Sequence, residues 1–212
     1  MPDEPCRPRD DVVSYPTDCD ILSGYRQRNE TLRQQQELPE PLRDRAAAIS
    51  LVLFDVDGVL TDGSLIYSES GVESKTFHTQ DGLGIKLLHL AGIETGLITA
   101  RSSEMVTRRA AELAVTYAYQ RVERKLDAFK EILQRSGRKP FQVCYMGDDW
   151  IDLGLLRRVG LAACPANAVP EVQAACHFIA QRTGGHGAVR QLCDLIITAK
   201  GQHEALVQRF LS

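Results

Sequence analysis

The sequence predicts an α/β protein: a doubly wound, mostly parallel sheet with helices on both faces and one small β-hairpin. Three observations carry this. Short apolar runs alternate with helical patterns from Leu51 onward. Those runs are nearly continuous in apolar residues, as in strands covered on both faces, rather than alternating as in half-solvated ones. One segment alone, Asp62 to Thr79, breaks the alternation, and it reads as two short β-prone pieces around a polar turn.

The strand-like runs are Leu51–Phe54, Glu94–Thr99, Val115–Tyr119, Gln142–Met146, Leu161–Ala163 and His177–Ala180. Helical patterns fall between them at Gly82–Leu90, Ser103–Leu113, Lys125–Gln134, Trp150–Val159 and Val169–Ala175. Ala188–Ala199 and Glu204–Leu211 form a helical tail. In the odd segment, Ser64–Ser68 and Glu73–Phe77 flank Glu69–Gly71. Residues 1–45 are rich in Pro, Asp, Arg and Gln and read as a poorly ordered extension, in which Ile21–Leu38 has a sparse helical pattern. The expected division is therefore an extension over 1–45, a core over 46–201 with its hairpin at 62–79, and a tail over 202–212.

Bulk properties narrow the function. The chain has 212 residues, enough for one well-filled core. Its net charge of -3 speaks against a nucleic-acid partner, which usually shows as a basic excess. It leaves room for small anionic substrates, which need only a local positive pocket. No apolar run is long enough to span a bilayer, and the first thirty residues are too polar for a secretory signal, so a cytoplasmic protein without a membrane partner is expected. The six cysteines form no C-x-x-C pair, and Cys144, Cys164, Cys176 and Cys193 lie in apolar surroundings, as reduced core residues do.

Chemistry gathers at the strand ends. The first strand runs into Asp55-x-Asp57-Gly58, and alternation along a strand points i and i+2 to one side. Buried carboxylates are costly unless paired or metal-bound, so this is either the mouth of a site or a plain Asp-Gly turn. The second strand ends at Thr99-Ala100-Arg101, and the fourth at Gly147-Asp148-Asp149-x-x-Asp152. Lys125 opens the helix after the third strand; Arg121 and Arg124 are rival cations nearby. In a parallel sheet all of these meet at the carboxyl edge, where open α/β sheets bind ligands. Carboxylates, a hydroxyl and a lysine in one place suggest phosphoryl chemistry assisted by Mg2+, which prefers carboxylate, water and phosphate oxygens. A carboxylate can also serve as the nucleophile, through an aspartyl-phosphate.

This ordered set, D-x-D-G-V, then T, then K, then G-D-D-x-x-D, resembles the haloacid dehalogenase-like phosphatases. The stretches FDVDGVLTDG, KTFHTQDGLGIKLL, ITAR, GDDWIDLGLL and GGHGAVRQLCDLI look like the branch that dephosphorylates 3-deoxy-D-manno-octulosonate 8-phosphate for lipopolysaccharide synthesis. The resemblance implies a haloacid dehalogenase fold in which the hairpin replaces a large cap domain and packs in a homotetramer. It implies Asp55 as nucleophile, Asp57 as general acid/base, and Thr99 and Lys125 as the catalytic groups that hold the phosphoryl. It implies Mg2+ held by Asp55, the backbone carbonyl of Asp57, and Asp148, with Asp149 and Asp152 orienting the ligands and Lys125. Substrate contacts are expected from Asp81, Gly82, Thr99, Ala100, Arg101 and Lys125. Asp152 as a surface carboxylate and Asp81 as a helix cap remain open readings. The tail Gly184–Arg190 reaches a neighbouring site in that family, where arginine often replaces His186 and glutamate often replaces Gln191. A nine-carbon sugar-acid substrate is one alternative. A non-catalytic oligomerisation module, as found in sialic-acid activating enzymes, is the other, though every catalytic position is filled here.

Overall fold

The computed structural model describes Gly24 and residues 38–69 and 73–211. The chain divides into two units, one of residues 1–37 with 208–212, the other of residues 38–207. The expected helix over Ile21–Leu38 lies almost wholly outside the described residues. The sheet and the strand-end motifs all belong to the second unit.

Six strands form one parallel sheet: β1 (Leu51–Phe54), β4 (Glu94–Ile98), β5 (Tyr117–Tyr119), β6 (Val143–Met146), β7 (Leu161–Cys164) and β8 (Phe178–Ile179), in the order β5-β4-β1-β6-β7-β8. The chain winds outward from β1 to β5, then returns to lay β6 beside β1 and winds the other way. The direction reverses between β1 and β6, and a crevice forms at such a switch point. Strands β2 (Ile66–Tyr67) and β3 (Glu73–Ser74) pair antiparallel as the separate hairpin. Their ladder is shorter than the sequence pattern suggested.

Alternation in the buried strands feeds two cores. Val52, Phe54, Cys144, Met146 and Ala163 face one side, against α1 (Glu40–Ala48), α2 (Thr79–Leu90), α3 (Glu104–Glu112) and α7 (Ala188–Ala199). Leu51, Leu53, Val143, Tyr145 and Ala162 face the other, against α4 (Lys125–Ser136), α5 (Leu153–Leu156) and α6 (Pro170–Ala175). Each side is sealed by large apolar side chains such as Leu88 and Ile196 on one face and Phe129 and Ile132 on the other. A helix of seven residues, α8 (His203–Arg209), comes after α7. Cys144, Cys164 and Cys193 are buried and unbridged. Among the described residues no helix is long and apolar enough to cross a membrane.

Two boundaries differ from the sequence pattern for clear reasons. The helix expected over Trp150–Val159 begins as a 3-10 turn, Trp150–Asp152, capped by the Asp149 carboxylate, and only Leu153–Leu156 is α-helical. Helix α2 starts at Thr79, so Asp81 lies inside its first turn and caps a different helix. Its carboxylate accepts from the backbone N–H groups of Gly187 (3.1 Å) and Arg190 (2.7 Å) at the start of α7. Asp81 thereby satisfies two donors that a helix N-terminus leaves unpaired.

Candidate active site

The register sets three groups in one row just past the ladder. Phe54 lies between Leu97 and Met146, and the amide of Asp55 continues the pairing by donating to Met146 O at 2.9 Å. Thr99 N donates to Tyr119 O at 2.9 Å and Gly147 N to Ala163 O at 3.2 Å. Asp55, Thr99 and the Gly147–Asp148 turn therefore emerge side by side at the carboxyl edge.

One oxygen from each of Asp55, Asp148 and Asp152 falls within a 4.8 Å cluster. Against these three carboxylates stands the buried Lys125, whose ammonium lies 2.7 Å from Asp55 Oδ2 and 2.7 Å from Asp152 Oδ1. Burial pushes the Asp55 carboxyl up to about 6, opposed by Lys125 and reinforced by Asp152. Burial, with Asp55 and Asp152 adding to it, pushes Asp148 up to about 7. For Lys125 burial opposes the charge, but Asp55 and Asp152 outweigh it and raise its pKa. Three acids facing one lysine leave excess negative charge, and a divalent cation with oxygen preference fits that imbalance.

Asp152 is fully buried and fully used. Its Oδ1 accepts from Lys125 Nζ (2.7 Å) and the Tyr145 hydroxyl (2.6 Å), its Oδ2 from the amides of Asp148 (2.9 Å) and Asp149 (3.2 Å). It is not a surface carboxylate. With both oxygens committed, Asp55 and Asp148 are the carboxylates left to face an ion. Asp149 is exposed, and its side chain accepts from Trp150 N at 2.7 Å. Gly58, with φ +84°, lets the turn after β1 pass Asp148; a Cβ there would meet Asp148 Oδ2 at 2.0 Å.

Asp57 goes elsewhere. Strand alternation would set its side chain beside that of Asp55, but β1 stops at Phe54 and the chain turns, with the amides of Val59, Leu60 and Thr61 all donating to Val56 O. Alternation no longer applies in such a turn. The Asp57 carboxylate pairs with Lys75 from the hairpin and lies 3.9 Å from Arg101 Nε. Lys75 also pairs with Glu73 (3.2 Å), and Arg101 reaches Glu73 (3.1 Å) and the Tyr67 hydroxyl (3.2 Å).

Thr99 is buried, and its Oγ1 accepts from Arg101 N at 3.2 Å. Ala100 is exposed and, with Lys125, borders a cleft of about 230 Å³ that also includes Ile151. Gly82 is buried against Arg109, whose guanidinium would sit 2.3 Å from an added Cβ. Within the chain, Asp81 caps α7 and Gly82 packs against α3. The tail glycines do likewise: a Cβ on Gly184 would fall 1.8 Å from Gly58 O, and Gly185 N donates to Val59 O at 3.0 Å. Sequence reasoning missed Tyr145, one position inside the end of β6, and Lys75. The hairpin's placement at the carboxyl edge was the available signal for Lys75.

A parallel sheet with this reversal, an acidic strand end and a hairpin inserted after β1 define a haloacid dehalogenase-like hydrolase, and the profile of that family matches residues 119–192. The chain is 39% identical over 158 residues to the 3-deoxy-D-manno-octulosonate 8-phosphate phosphatase KdsC of Escherichia coli (strain K12), covering 74% of this chain and 84% of that one. Among solved structures, a probable YrbI family phosphatase from Pseudomonas syringae is 43% identical with a TM-score of 0.80, over 82% of this chain and 99% of that one. The phosphatase from Moraxella catarrhalis, solved with magnesium, phosphate and KDO, is 38% identical with a TM-score of 0.78, over 80% and 97%. The chain belongs to the 3-deoxy-D-manno-octulosonate 8-phosphate phosphatase family.

Proposed function

We propose that this protein is an Mg2+-dependent phosphatase that hydrolyses 3-deoxy-D-manno-octulosonate 8-phosphate to the sugar acid and phosphate, in lipopolysaccharide precursor synthesis. The carrying observation is the arrangement of Asp55 and Asp148 around the crevice between β1 and β6, with Lys125 bound to Asp55 at 2.7 Å. The substrate comes from the family resemblance.

Each residue has its own part. The Asp55 carboxylate attacks phosphorus and forms an aspartyl-phosphate as the bond to the sugar oxygen breaks. Asp57 gives its proton to that leaving oxygen, then takes one from the water that attacks phosphorus and frees Asp55. Lys125 holds Asp55 in line and offsets the charge on the transferring group. The Thr99 hydroxyl and the backbone at Ala100 and Arg101 receive the phosphate oxygens. Magnesium, held by Asp55, the carbonyl of Asp57 and Asp148, would neutralise phosphate charge beside the nucleophile. Asp152 and Asp149 fix Lys125 and the Asp148 turn.

Phosphate release from a panel of sugar phosphates, with and without Mg2+, tests this reading. A metal-dependent preference for the eight-carbon keto-acid phosphate supports it. Preference for the nine-carbon analogue moves the substrate, and no activity on any ester removes the enzyme. The exposed Leu65, Ile66 and Tyr67 on the hairpin support packing against copies of the chain as a tetramer. A monomeric mass in solution would remove that part.

A further inference from the structure

Four charges form a closed, alternating ring. Asp57 pairs with Lys75, Lys75 with Glu73 (3.2 Å), Glu73 with Arg101 (3.1 Å), and Arg101 Nε returns to Asp57 Oδ2 at 3.9 Å. The four come from three separate places: the turn after β1, the hairpin and the loop after β4. The Lys75 side chain is only 1% exposed, although its neighbours Ser74 and Thr76 face solvent.

Burying an ammonium is costly, and an apolar residue would anchor a hairpin at least as well. The lysine has a more specific effect here. It grips Asp57 at Oδ1, while among the described residues the ion partner of Oδ2 is Arg101, at 3.9 Å. One oxygen is thus fixed and the other left able to meet a reacting group. In a turn rather than a strand, Asp57 has no ladder to hold it, so its side chain depends on this grip.

We propose that Lys75 is a positioning residue for the Asp57 carboxylate, acting through the ring that also ties the hairpin to the site. The inference rests on the acid/base role given to Asp57 above. A misplaced acid/base group loses part of its roughly 10²–10⁴-fold contribution without weakening substrate binding.

The test is steady-state kinetics on 3-deoxy-D-manno-octulosonate 8-phosphate at saturating Mg2+. Lys75→Met should lower kcat about 10- to 100-fold with KM changed less than about threefold, and Lys75→Arg should recover most of it. The double variant Asp57→Asn/Lys75→Met should be no slower than Asp57→Asn alone, since Lys75 acts only through Asp57. Multiplying losses in the double variant, or a rise in KM larger than the fall in kcat, overturns the proposal. A slow Asp57→Asn beside an unaffected Lys75→Met overturns it while leaving the role of Asp57 intact. An unaffected Asp57→Asn overturns that role and this one together. Should Lys75→Met not fold, Lys75→Gln carries the same comparison.

Discussion

Replacing Asp152 by asparagine tests how the site is built. The carboxylate accepts four hydrogen bonds, from Lys125, Tyr145 and the amides of Asp148 and Asp149, and none of it is exposed. Asparagine offers one accepting oxygen and one donating nitrogen in the same shape. With its oxygen toward Lys125 and Tyr145, its nitrogen faces two backbone donors. Two part-buried donors then lack an acceptor, at up to about 1–3 kcal/mol each. Lys125 keeps Asp55 but loses its second counter-charge, which adds to the cost. The expected loss is about 3–5 kcal/mol, a fall in urea midpoint of roughly 1–2 M. Asp149→Ala, at an exposed cap, should cost only about 1 kcal/mol. Urea denaturation monitored by circular dichroism reads both. An Asp152→Asn protein within about 1 kcal/mol of the parent, or less damaged than Asp149→Ala, would mean that this carboxylate does not hold the site together.

Three other outcomes are expected. Asp55→Asn should abolish phosphate release while the far-ultraviolet spectrum stays that of the parent, because the nucleophile goes and the shape remains; near-normal turnover would exclude the covalent route. The metal-free protein should lose stability as pH rises from about 4 through about 7, because Asp55 and Asp148 have folded-state pKa values near 6 and 7, above the ordinary 3.8, and the folded state holds their protons more tightly than the unfolded chain does. Mg2+ needs both acids ionised, so the rise in Tm that it gives should be large near pH ~8 and fade toward ~5; a pH-independent rise would contradict the site. Gly58→Ala should weaken Mg2+ binding at least tenfold by calorimetry, since its Cβ lands 2.0 Å from Asp148 Oδ2 in a backbone conformation with φ +84°; unchanged affinity would show that the turn yields freely.

Much of this protein is legible along the chain. Apolar runs of the right length and spacing mark β1, β4, β6 and β7, because strands buried on both faces must be apolar throughout, and the amphipathic stretches between them mark α3 and α4. Once the strands are known to run parallel, their positions along the chain alone set Asp55, Thr99 and Asp148 at one edge. Lys125 stands out among its rival cations only through the motif order, and its bonds to Asp55 and Asp152 became visible only in the structure. The direction of Asp57 had to come from the folded chain, because β1 ends at Phe54 and a turn does not keep the alternation of a strand. So did the role of Asp81, which caps α7 rather than α2, a contact across more than a hundred residues that no local pattern encodes. Glu73 and Lys75 look like ordinary polar hairpin residues until the hairpin meets Asp57 in the turn after β1 and Arg101 in the loop after β4. Local propensity and period depend on neighbours along the chain, whereas the direction of a side chain in a turn, and the partner it finds, depends on what the rest of the chain brings beside it.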